Sequence, residues 1–259
     1  MDARSMCVCA AAAACGLATA AGAAVVEVRV SVVNLAPTNS VAFAPLRIGF
    51  NSGVYDAFNE GQTPTAPIIS IAEGGSGADW FPAFAAADPT AVLGTVVPNP
   101  AGPLVPGGTG FAVFTVDTDV NPFFTFGSMV VPSNDHFIGN DDPQEYRVFN
   151  AMGGLAIGSI SQLGSEVWDN GSETEDPLAA AFLVGGTNAL RTPQNGVVNF
   201  NFDKLDTFNG LTTGAGYQFD RQFGANDEIY RITFEIVPSP GTAGLLGLGV
   251  VGGLRRRRR

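Results

Sequence analysis

The sequence predicts an all-β fold: an antiparallel β-sandwich with long loops and one or two short helices. Three observations carry this prediction. Apolar and polar residues alternate at period two in several runs, as in strands with one buried face. Pro- and Gly-rich stretches separate those runs. Helical patterning is confined to short segments, and no repeat of solenoid period is present.

In chain order, Val26, Val28, Val30 and Val32 alternate with Glu27, Arg29 and Ser31, which predicts the first strand. Val54–Asn59 and Ala78–Ala87 are each long enough for about two helical turns, and Pro82 falls early enough in the second for a first turn. Trp80 and Phe81 read as core. Phe111–Val116 and Phe123–Val131 are apolar on both faces, as expected of central strands. Val198, Phe200 and Phe202 alternate with Asn199, Asn201 and Asp203. Tyr230, Ile232, Phe234 and Ile236 alternate with Arg231, Thr233 and Glu235. Both patterns predict strands.

Composition narrows the chemistry. Residues 25–237 hold seven of the 13 Lys and Arg and 23 of the 24 Asp and Glu, leaving a net charge near −16. Nucleic acid is excluded as a partner by sign, whereas a hard cation suits it. Cys7, Cys9 and Cys15 all precede residue 25, so disulfides, thiolate metal sites and cysteine nucleophiles are excluded from 25–237. His136, the single histidine, excludes any site that needs two.

The acids cluster in two segments with loop composition, Ser133–Asp142 and Glu166–Asp176. Loops at one end of a sandwich can meet in space. Calcium takes six to eight oxygens from carboxylates, amides, hydroxyls and carbonyls, and Asp169-Asn170-Gly171-Ser172-Glu173 offers that mixture. Solvated turns use the same residue types.

Ser133-Asn134-Asp135-x-Phe137-x-Gly139-x-Asp141, preceded by the strand Phe124–Pro132 and followed by Asp169-x-Gly171-Ser172-Glu173, resembles the spondin amino-terminal domain family. Val32-Val33-Asn34-Leu35 and the loop Pro103–Gly110 fit the same pattern. The resemblance implies an extracellular β-sandwich with a calcium site in its loops, used for adhesion or matrix binding. It places the metal ligands at Asp135, Asp141, Asp169 and Glu173. Asn170 and Ser172 depart from the family's usual Ala and Thr and retain or add oxygen. His136 reads as an ordinary loop histidine. The chain has no G-x-S-x-G nucleophile elbow, and residues adjacent in an extended segment point apart, so Asp135 is poorly placed to orient His136. Paired carboxylates would also serve a glycoside hydrolase.

The ends read as addresses. Residues 1–24 form a signal peptide, with an apolar run from Met6 to Ala18 and small residues at the cleavage region. Residues 238–259 form a sorting tail. Pro238-Ser239-Pro240 precedes an uncharged stretch, Gly241–Leu254, and then Arg255–Arg259. This tail resembles the PEP-CTERM sorting signal, although Ser239 stands where that family has Glu. The resemblance implies processing by an exosortase-type peptidase. At about 1.5 Å per residue, residues 241–254 are too short for a permanent span and suit transient membrane insertion. The expected protein is an exported, non-enzymatic, calcium-binding adhesion or matrix protein of the bacterial surface, with extracellular polysaccharide or a matrix component as partner. A secreted polysaccharide-active enzyme and a carbohydrate-binding module are the alternatives.

Overall fold

The computed structural model describes residues 25–238; the segment 1–24 and the tail from Ser239 onward lie outside the described residues. In chain order the first strands are β1 (Val25–Asn34), β2 (Ala42–Phe43), β3 (Leu46–Asn51), β4 (Val92–Val96), β5 (Thr109–Asp117) and β6 (Phe123–Val131). They are followed by β7 (His136–Gly139), β8 (Ser159–Leu163), β9 (Trp168–Asp169), β10 (Asn199–Phe200) and β11 (Glu228–Val237). Two helices, α1 (Ala66–Gly74) and α2 (Trp80–Ala87), lie between β3 and β4.

The strands make two antiparallel sheets. One has the order β5-β1-β11-β8. The other runs β10-β9-β7-β6-β3-β4, with β2 also paired to β6. Alternation decides which faces meet. Val28, Val30 and Val32 of β1 and Ile232 and Phe234 of β11 share a core with Leu46, Ile48 and Phe50 of β3 and Phe124 of β6. The predicted sandwich is therefore present.

The helices cover the outer face of the larger sheet, where Ile68, Ile71, Trp80 and Phe84 pack with Phe137 and Trp168. Gly49 of β3 permits this close approach, since a Cβ there would lie 2.6 Å from the Phe84 ring. This helical cover is why Phe123–Val131 carries apolar residues on both faces: β6 is covered on both sides.

Four local expectations are corrected. Val54–Asn59 is not helical. Tyr55 stacks on Phe84 at 4.1 Å, and Phe58 packs edge-on against Phe137 and Trp168, so aromatic contacts hold an extended path that a six-residue helix, with its costly nucleus, does not outcompete. The helix forms instead at α1. Pro67 sits in its first turn, Ile68, Ile71 and Ala72 are its buried positions, and Gly75 caps it in a left-handed conformation with its N–H on the Ile71 carbonyl.

β5 is an edge strand rather than a central one, with Phe111 and Val113 exposed and the Arg29 guanidinium 3.9 Å above the Phe111 ring. The strand expected at Val198–Phe202 shrinks to two residues. Phe202–Phe208 turns into a 3-10 helix that buries Leu205 and Phe208. Finally, the first acidic segment is not a loop throughout. His136–Gly139 is strand β7, wholly buried between β6 and β9.

Candidate functional site

The two acidic segments meet at one end of β7. His136 pairs with Asp169 in the β7–β9 register, which brings the turn before β7 against the turn after β9. Asp135 stands at the junction, fully buried. Its Oδ2 accepts hydrogen bonds from Ser172 N at 2.7 Å, Glu173 N at 2.9 Å and Ser172 Oγ at 3.1 Å. Gly171 shapes the second turn: φ is +69°, and its N–H bonds Asp169 Oδ1 at 2.8 Å. Asn134 ties the same turn from the other side, donating to Glu173 Oε1 at 2.8 Å and accepting from Asp176 N at 3.0 Å.

These bonds leave a set of buried atoms without hydrogen-bond partners: Asp135 Oδ1, His136 Nδ1, Asn170 Oδ1 and Glu175 Oε1. Buried polar atoms are nearly always paired, so these four need a physical account. Asp135, His136 and Glu175 each bring a potential ligand atom within 4.8 Å of the others. The His136 tautomer follows from its other nitrogen: Nε2 lies 3.0 Å from the Asn201 carbonyl, which can only accept. Nε2 therefore carries the proton, and Nδ1 presents a lone pair. Metal-binding histidines use this arrangement, with one nitrogen fixed on a carbonyl and the other free to ligate.

One cation is already in place. Lys204, on the 3-10 helix Phe202–Phe208, sets its Nζ 2.6 Å from Asp169 Oδ2 and 3.3 Å from Glu175 Oε2. Its side chain is 31% exposed, against 1% for Asp169, so it closes the cluster from the solvent side. Burial alone would lower the Lys204 pKa; the hydrogen bond and charge of Asp169, with the charge of Glu175, outweigh it and hold the ammonium above its usual value.

Asp135 is pushed up to about 7 by burial, reinforced by the charges of Asp169 and Glu175 and opposed by the N–H groups of Glu173 and Ser172. Burial holds the His136 imidazole below its usual value, against the pull of Asp169 and Glu175. The histidine is therefore neutral and fit to ligate.

Of the four residues predicted as ligands, Asp135 and Asp169 share this cluster. Glu173 contributes its backbone N–H to Asp135 but turns its carboxylate to Asn134. Asp141 lies past the far end of β7 and accepts from Glu60 N at 3.3 Å. No family model and no curated protein matches the chain.

Three residues of this cluster escaped the sequence reading. His136 is a buried strand residue rather than a loop histidine; the apolar pair Phe137-Ile138 directly after it was the available signal. Glu175 was one acid among several in its segment. Lys204 is distant in sequence, and its ion pairs depend on a tertiary contact that periodicity does not encode.

Proposed function

We propose that this chain is an exported, non-enzymatic adhesion or matrix protein of the bacterial surface, whose sandwich holds a divalent cation at the Asp135 cluster. The observation that carries the cation site is the convergence of partnerless buried acceptors on Asp135, His136 and Glu175. Calcium is the leading ion, because the carboxylates of Asp135 and Glu175 outnumber the single nitrogen of His136 in the donor set. The imidazole Nδ1 favours a second reading, a first-row transition ion such as manganese or zinc, since nitrogen suits those ions better. The exported and adhesive roles rest on the signal-like and tail segments and on the spondin-type motifs. A binding role rather than a catalytic one is supported by His136, which is fully buried with Nε2 committed to a backbone carbonyl.

The test is a melting curve with chelator, calcium, manganese or zinc. An ion that binds the folded state at a hundred times its Kd adds about 2.7 kcal/mol of stability. Calcium is expected to give the largest rise. A larger rise with manganese or zinc would assign the site to the second reading. Curves that coincide with and without every ion would sink the cation site and leave the Lys204 ammonium as its permanent occupant.

Lys204→Met separates these cases further. It removes the internal cation and exposes Asp169 and Glu175 to each other's charge, so the metal-free protein is expected to lose about 1–3 kcal/mol. The added ion should then bind more tightly than in the wild type and restore the loss, both read from the same melting series. A variant whose ion response is weaker than wild type would show that Lys204 supports the cation rather than competes with it.

A further inference from the structure

At the opposite end of β7 from Asp135 lies a separate open cleft of about 180 Å³. Four acids line it, Glu60, Asp141, Glu145 and Glu166, and no Lys, Arg or His does. Gln162 supplies a second, independent observation. It is 3% exposed, lines the cleft, and its Oε1 has no hydrogen-bond partner.

The lining offers acceptors and has spent its donors. Trp168 Nε1 is committed to the Gly139 carbonyl at 2.9 Å, Gln162 Nε2 donates to Ser161 O at 3.3 Å, and the Tyr146 hydroxyl is hydrogen-bonded to the side chains of Glu145 and Gln162. Two of the acids carry a penalty for remaining charged. Burial, and then the negative charges of Glu166, Asp142 and Asp141, hold Glu145 above the usual carboxylate range. Asp141 is raised by burial and by the charges of Asp56 and Asp142. One wall is aromatic: Phe200 stacks on Trp168 with centroids 3.6 Å apart and keeps 44% of its surface exposed.

A site that is acceptor-rich, negative and aromatic on one wall suits a ligand that donates hydrogen bonds, carries positive charge and has an apolar stem. We propose that this cleft binds an organic cation, an ammonium or guanidinium head, with Gln162 Oε1 and the carboxylates of Asp141 and Glu145 accepting its hydrogen bonds and Phe200 against its stem. The ligand is a free amine or the side chain of a basic partner, since the two share this chemistry. The site is independent of the Asp135 cluster.

The test uses the full chain, titrated with agmatine and, in parallel, with a capped Gly-Arg-Gly peptide, and read by calorimetry. Saturable agmatine binding is expected, weakened at least about tenfold in the Asp141→Asn, Glu145→Gln double variant, because charge-assisted hydrogen bonds are lost. Phe200→Ala should weaken it by a smaller factor, while Asp135→Asn should leave it unchanged. Melting curves of these variants, read beside the titrations, separate a local loss of binding from a loss of the fold. Binding of agmatine alone assigns the cleft to free amines; binding of both probes extends it to basic side chains. The proposal is overturned if neither probe saturates, if the double variant binds as well as wild type, if Asp135→Asn abolishes binding, or if a neutral monosaccharide binds where agmatine does not.

Discussion

Replacing Asp135 with Ala is expected to cost about 3–5 kcal/mol, because it leaves the buried N–H groups of Ser172 and Glu173 without an acceptor at about 1–3 kcal/mol each and opens a cavity besides. Asp135→Asn should behave in the opposite way. Its amide oxygen can take the place of Oδ2 and keep the bonds from Ser172 and Glu173. Its NH2 then replaces Oδ1, an acceptor without a partner, and offers hydrogens to a neighbourhood made negative by Asp169 and Glu175. The metal-free variant should melt at or above the wild-type temperature and lose its response to added cations. Denaturant titration of the three proteins, with and without the ion, checks both statements. An Asn variant as unstable as the Ala variant would refute the hydrogen-bond account.

The same pair of proteins gives a pH prediction. Asp135 is held near 7 in the fold, against about 4 in an unfolded chain. Between those values the folded protein binds a proton that the unfolded chain has released. The stability from this group is complete below about pH 4 and is lost as pH rises through about 7, on the order of 3–4 kcal/mol in all. His136 works in the other direction. Its lowered pKa gives stability that is lost as pH falls below the ordinary histidine value. The difference between wild type and Asp135→Asn removes the histidine, which both proteins carry. That difference should grow in favour of the variant from pH 4 to pH 7.5 in chelator and shrink when the bound ion is present. A difference that does not change with pH would contradict the raised carboxyl.

Gly171→Ala is the second large effect. Gly171 has φ of +69°, where any side chain is strained by roughly 1–2 kcal/mol. A Cβ would also lie 2.6 Å from the Val197 carbonyl oxygen and 2.7 Å from the Val197 nitrogen. These are backbone atoms, so no rotamer change relieves the overlap. The turn must move, and with it the Ser172 and Glu173 N–H groups that hold Asp135. The expected loss is at least about 3 kcal/mol, together with loss of cation binding. Amide exchange at Ser172 and Glu173 should rise by more than the global change alone would give. A Gly171→Ala protein with wild-type melting and ion response would remove this turn from the site.

Much of the architecture was legible because burial on one face writes itself into sequence as alternation. β1 and β11 pair along their lengths and bury the residues that the alternation marked. The errors share a cause. Phe111–Val116 looked central because exposed Phe111 and Val113 are apolar, and apolar composition does not say whether a second layer covers them. Val54–Asn59 looked helical because its aromatic partners, Phe84, Phe137 and Trp168, lie far along the chain. The site was legible to the same extent. The meeting of the Asp135 and Asp169 segments followed from their residue types and a sandwich end. Which carboxylates turn inward depended on single hydrogen bonds, such as the one from Asn134 that draws Glu173 away. The contribution of Lys204 depended on where a 3-10 helix lands.

That placement of Lys204 bears on time as well as on energy. The cluster is assembled from the turn at Asp135, the turn from Asp169 to Glu175, and Lys204, which belongs to neither turn. No fragment containing one segment alone can reproduce it. Contacts between segments so far apart in sequence are expected to form late, after the sandwich has closed. A cation held there would then act mainly on the unfolding rate, slowing it while leaving the folding rate nearly unchanged. Under the proposed exported role, where unfolded copies would be lost to proteases, the ion would serve chiefly to lengthen the lifetime of the folded state.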